Sequence, residues 1–269
     1  MSATTKSFAG VRGIHNVLAL ALFLLTSFSS PLLLVAQLNN GDANSRHVTN
    51  TTGSIATKTQ SGMDVIPAIS VNQLGAPDKA RNALQKAVEA WRRNKLSDAD
   101  AYAGEALAAY PRYAVALTLR GMLKAESDPR QACEYLQKAI TYDPNYGPAY
   151  LALGSAYNRL GQFDDAARTL DHGIAIAPTL WQGYYELSVA SLGKGDFRGA
   201  LRLVEKASSL VPSEFPPMHL VKGYAFVGLQ DKPAATAELT TFLIEAPDDL
   251  LASRARHIVE ELAAASAGH

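Results

Sequence analysis

One cysteine in 269 residues, Cys133, excludes an intramolecular disulfide and a thiolate-rich metal site. It lies well away from the apolar N-terminal run, so no cysteine stands where a lipid would be attached, and its place beside Ala132 predicts a half-buried, inert thiol. Neither sign of charge is in excess: 25 Lys plus Arg balance 25 Asp plus Glu. That leaves no broad positive field for a phosphate backbone, and nucleic acid is not an expected partner. The six histidines, His15, His47, His172, His219, His257 and His269, include no pair four residues apart and none flanking a glutamate. No metal ligand set follows from them, and His219 is expected as a packed core or rim residue.

Catalytic motifs are also missing. Gly193, Gly195 and Gly199 have the wrong order for a nucleotide-binding loop, and no strand pattern precedes them. Ser191 and Lys194 form a Ser-x-x-Lys pair without the companion residues of a hydrolase. The expectation is a chain with no catalytic residue and no cofactor, acting through a surface.

The N-terminus reads as a targeting segment. Lys6 and Arg12 precede the uncharged run 17–28, which has the length of a signal-peptide core, and Ser27, Ser29 and Ser30 supply small residues for cleavage. Continued past Pro31 through Leu34 and Ala36, the run would also serve as a single membrane anchor. Residues 1–36 are therefore either a signal peptide or an anchor, with a possible membrane tether through 14–36. Both alternatives place the remainder outside the cytoplasm, since the positive charges precede the run. Residues 37–76 are rich in Asn, Thr, Ser and Gly and read as a flexible, disordered linker, with an Asn-x-Thr sequon at Asn50. Within it, residues 65–71 are apolar and rich in β-branched side chains, a stretch suited to packing on another surface.

From residue 77 the pattern is helical and repeats. Pro111, Pro144, Pro178, Pro212 and Pro247 are 33, 34, 34 and 35 residues apart, and Ala99, Ala132, Ala166, Ala200 and Ala235 each stand twelve residues before one of them. A period of this size marks stacked copies of one supersecondary unit. In the third copy Tyr150, Leu153, Gly154 and Tyr157 share one face of a first helix, Gly161 and Asp164 turn the chain, and Ala166, Leu170 and Gly173 line a second helix that stops before Pro178. First helices elsewhere are looser, with Lys86 and Lys222 in a leucine slot and Arg120 in the glycine slot.

These residues resemble the tetratricopeptide repeat. The resemblance implies an all-α, right-handed superhelix of five helix-turn-helix units over residues 77–265: 80–112, 113–146, 147–180, 181–215 and 216–249. A capping helix is expected at about 249–264, where Leu251, Ala255, Ile258 and Leu262 recur on one side. One two-helix unit, wet on both faces, cannot bury enough apolar surface to offset its ordering, so the units are expected to form one stack.

In this family the concave face is lined by first-helix positions, and the repeat register puts there Leu84, Val88 and Trp91, then Leu117, Gly121 and Lys124, then Leu151, Ser155 and Asn158. Tyr185, Val189 and Leu192 follow, then Leu220, Tyr224 and Val227. Lys124, Asn158 and Arg159 are the polar candidates, and they do not reproduce the carboxylate clamp of some relatives. The expected function is a cell-envelope scaffold binding a protein or peptide segment in a mostly apolar groove. The alternative is a carrier or sensor of a small hydrophobic ligand, and self-packing of the inner positions, or their occupation by residues 65–71, stays open.

Overall fold

The computed structural model of the chain describes residues 75–211 and 215–267, with side chains to 264. The apolar N-terminal run, the linker as far as residue 74, including residues 65–71, and Pro212 lie outside the described residues. Those residues form eleven helices and no strand: α1 (Asp78–Arg92), α2 (Leu96–Ala109), α3 (Ala114–Lys124), α4 (Pro129–Tyr142), α5 (Gly147–Arg159), α6 (Phe163–Ile176), α7 (Trp181–Gly193), α8 (Phe197–Leu210), α9 (Pro217–Gly228), α10 (Lys232–Glu245) and α11 (Ala252–Ala267). Helices α1 to α10 pack as five successive pairs, each second helix leans on the next first helix, and α11 closes the stack against α10.

The periodic residues are the joints of this stack. Ala99, Ala132, Ala166, Ala200 and Ala235 are all fully buried, as are Leu136, Leu170, Val204 and Leu239 one turn later. A small side chain lets the paired helix approach, and the larger residue beside it fills the remaining gap. Helices α2, α4, α6 and α10 each stop two residues before the periodic proline, which has no amide hydrogen to continue the ladder. At the start of the second helices the carboxylates of Asp128, Asp196 and Asp231 accept backbone N–H groups of Gln131, Gly199 and Ala234 at 3.0, 2.9 and 3.2 Å.

Four of the five first helices end alike. Two residues past α1, α5, α7 and α9, the backbone turns left-handed at Asn94, Gly161, Gly195 and Gln230, with φ of 57°, 70°, 78° and 61°. The next residue's N–H reaches five residues back, as Gln162 to Tyr157 and Asp196 to Ser191, each at 2.9 Å, which closes the helix and reverses the chain. No such residue follows α3.

The second unit is shorter, and the reason corrects the sequence register. Gly154 faces Leu170 so closely that a methyl group on it would stand 2.3 Å from Leu170 Cγ; in the second unit Gly121 meets Leu136 in the same way, at 2.5 Å. The glycine slot therefore holds Gly121, not Arg120. From Gly121 to Ala132 is eleven residues, against twelve from Gly154 to Ala166. The missing residue is the left-handed one, and Leu117 and Lys124 sit one step out of the inner register assigned from the spacing. The capping helix starts at Ala252, three residues later than expected, because Asp249 Oδ1 accepts the Leu251 N–H at 2.8 Å and holds a turn there.

Candidate functional site

Which face is inner follows from the contacts between units. First helices touch the next first helix along the series α3, α5, α7 and α9, while second helices make no comparable contact with one another among the described residues. The stack therefore curves with first helices inside.

The inner positions are largely withdrawn from water. Leu84, Val88, Trp91, Leu117, Leu151, Asn158, Tyr185, Val189, Leu220 and Tyr224 are each no more than 5 % exposed. Tyr185 meets the ring of Phe215, just before α9, edge-on with centroids 5.3 Å apart, and that of Trp181 on its own helix at 6.3 Å. Val189, Leu220, Tyr224 and Leu251 belong to the same cluster, and Leu84, Val88 and Trp91 join Tyr113 and Leu117 in another. The apolar lining offered to a partner is thus narrower than the register alone suggests.

The polar candidates have separate places. Lys124 Nζ lies 3.4 Å from Asp100 on α2, beside Arg120, whose Nε donates to the same carboxylate at 2.8 Å. Burial alone would raise the Asp100 pKa, but Arg120 and Lys124 outweigh it and hold this carboxyl below its ordinary value. Asn158 is buried, and its amide nitrogen donates to both the carbonyl and the carboxylate of Glu186 on α7, at 2.9 and 3.0 Å. Ser155 Oγ donates to the other Glu186 oxygen at 3.0 Å. Arg159 ends α5, where α7 and α9 carry Gly193 and Gly228 under the rings of Phe163 and Phe197. Its guanidinium reaches into the joint toward Glu126 at 3.9 Å. Burial lowers its pKa against the opposing pull of Glu186 and Glu126.

Around this cluster several buried atoms lack a hydrogen-bond partner: Asn158 Oδ1, Arg159 Nε, both amide atoms of Gln182, and the hydroxyls of Tyr185 and Tyr224. Both tyrosine hydroxyls have their pKa raised, burial being the main cause. A buried polar atom without a partner costs about 1–3 kcal/mol, and these lie on α5, α7 and α9. Sequence reasoning missed Gln182 and Glu186. The available signal was a glutamate inside the apolar first-helix face of the fourth unit and an amide directly after Trp181.

The residues set aside in the sequence occupy ordinary positions. Ser191 and Gly193 end α7, Gly195 makes the left-handed turn, and Lys194 pairs with Asp164 at 2.8 Å. Burial pushes the Cys133 thiol up to about 11. His219 sits between two carboxylates of α10, with Nδ1 2.6 Å from Glu238 and Nε2 3.6 Å from Glu245. No helix of the described residues is long and apolar enough to cross a membrane.

The tetratricopeptide repeat family profile matches residues 123–185. No curated protein matches the sequence. Among solved structures, MamA (residues 41 to its end) from Desulfovibrio magneticus RS-1 is 24 % identical with a TM-score of 0.53, covering 65 % of this chain and 99 % of that one. A thermophilic tetratricopeptide repeat protein of Thermus thermophilus is 17 % identical with a TM-score of 0.56, covering 68 % and 98 %. PilW, described as a widely conserved type IV pilus biogenesis factor, is 20 % identical with a TM-score of 0.55, covering 65 % and 81 %. These likenesses concern the fold. Since the family profile falls on the third unit and its flanks, and the same paired helices with the same buried alanines run through the other units, the chain has the tetratricopeptide repeat fold.

Proposed function

We propose that this chain is a non-catalytic scaffold of the cell envelope that holds a segment of another protein against the inner face of its repeats. The observation that carries this is the set of unpartnered buried atoms on α5, α7 and α9, centred on the Gln182 amide and the Tyr185 hydroxyl. An amide with both its nitrogen and its oxygen unsatisfied complements a peptide group, which offers one acceptor and one donor. The Asn158–Glu186–Ser155 cluster holds that part of the surface in place, so a bound segment would meet groups already ordered. The envelope location rests on the apolar run after Lys6 and Arg12, and the likeness to PilW, a pilus biogenesis factor, agrees with it.

The test is photocrosslinking in the native envelope from a benzoylphenylalanine at Gln182, which is only partly buried. A discrete polypeptide attached there, and absent when the same probe replaces the exposed Arg130 on α4, is the expected result. Equal labelling from both positions would refute the proposal. N-terminal sequencing of the exported form distinguishes cleavage near Ser30 from a retained anchor.

A further inference from the structure

We propose that the inner face also has an intramolecular occupant, residues 65–71 of the same chain, which covers α3 to α7 until a partner displaces it. The proposal rests on the inner face being the partner site, and three observations support it.

The chain entering α1 is held on the inner side. Ala76 is buried, and its carbonyl accepts a hydrogen bond from Arg81 Nη1 at 2.5 Å; Arg81 precedes Leu84 by one turn. Unpartnered atoms then follow on α5 and α7, at Asn158, Arg159, Gln182 and Tyr185, in a form that an extended backbone satisfies with alternating N–H and C=O groups.

Length and composition supply the third observation. Successive first helices in contact stand about 10 Å apart, so α7 lies about 20 Å from α3. Ten extended residues ending at Ala76 span about 33 Å, enough to carry the stretch 65–71 past α3 toward α5 and α7. Within 37–76 this is the uncharged apolar stretch, and Pro67 disfavours a helix there, so an extended strand-like docking is the form its sequence suits. An occupant tethered this closely works at an effective concentration in the millimolar range, so weak contacts suffice to keep it bound.

The experiment uses the full chain with Ser70 replaced by p-benzoylphenylalanine and maps the adducts by mass spectrometry. Adducts on α3, α5 or α7, with a yield unchanged on roughly tenfold dilution, are expected of a tethered occupant. The combined Ile66→Asp and Ile69→Asp variant should lower that yield at least about tenfold, because each isoleucine loses its apolar burial. The same variant should raise capture of an external polypeptide from Gln182. A yield that falls with dilution, which points to a second copy, overturns the proposal, and so do adducts confined to second helices. If Ser70 gives no inner-face adduct while Gln182 still captures a partner, the intramolecular occupant is refuted and the scaffold function stands. If Gln182 captures nothing even with both isoleucines replaced, while Ser70 still marks α5 or α7, the external partner is refuted and the occupant stands.

Discussion

Replacing Gly154 by alanine should destabilise the stack, and replacing Gly104 by alanine should stabilise it, although both glycines lie inside helices. At Gly104, on α2, a methyl group would meet nothing within 4 Å, so only the helix preference of alanine acts, a gain of about 0.5–1 kcal/mol. At Gly154 the same preference applies, but the methyl would stand 2.3 Å from Cγ and 2.5 Å from Cδ2 of Leu170. Leu170 is fully buried and has no room to turn, so overpacking of about 1–3 kcal/mol wins and the net loss is about 1–2 kcal/mol. Leu170→Ala alone costs about 2–5 kcal/mol through the cavity it leaves. In that background the added methyl on Gly154 meets open space, and Gly154→Ala should change sign to a gain of about 0.5–1 kcal/mol. Urea unfolding of the three single variants and the double variant, followed by helical circular dichroism with unchanged slopes, reads these differences as midpoint shifts. If Gly154→Ala stabilises as Gly104→Ala does, or if its cost persists undiminished with Leu170 gone, the close approach of α5 and α6 is not what selects glycine there.

Gln230 adopts φ of 61° without being glycine, so Gln230→Gly should relieve about 1 kcal/mol and raise Tm by about 2–4 °C; a fall in Tm would contradict the left-handed turn after α9. The Asp100 carboxyl holds its charge to lower pH in the folded state than in the unfolded chain, where the ordinary value is 3.8. Its contribution is therefore present above about pH 4 and lost as pH falls below it, so Asp100→Asn should lower stability by about 0.5–1 kcal/mol at pH 7 and by nothing near pH 2. Equal losses at both pH values in urea titrations would refute the ion cluster with Arg120 and Lys124. Because the Cys133 thiol is pushed up to about 11, thiol reagents at pH 8 should label it only after denaturant is added, and immediate labelling of the folded chain would refute its burial.

The parts of the fold legible in the sequence are those in which one residue type serves one local contact. The five alanines and the periodic prolines are of this kind, because the pairing of two helices joined by a short turn depends on nothing outside the unit. The slip in the second unit was hidden for a physical reason: Arg120 fills the apparent glycine slot only if the turn has its usual length. The shortened spacing of 33 residues between Pro111 and Pro144 was its trace. With the left-handed residue gone, Gly121 meets Leu136 and Arg120 swings instead to Asp100 on the preceding unit.

The inner face was less legible because its exposure depends on how tightly successive first helices close on one another, and that curvature is set by contacts a repeat length away. Gly193 and Gly228 show this. Read along the chain they are turn residues, but each is the floor on which Phe163 or Phe197 of the preceding unit rests, with methyl positions 2.5 Å from the ring. Arg159 occupies the corresponding place in the third unit, and its buried guanidinium replaces an apolar joint with a charged one beside Glu186 and Glu126. A joint of that kind is held by partners of limited number, and buried polar atoms left unsatisfied lie around it on α5 and α7 and continue to Tyr224 on α9. Exchanging Arg159 for glycine would copy those later joints except that residue 129 is a proline, not a phenylalanine, and leaves the slot unfilled. The third joint is therefore kept polar by its neighbours, and on the function proposed above it is where a bound peptide group would add the missing hydrogen bonds.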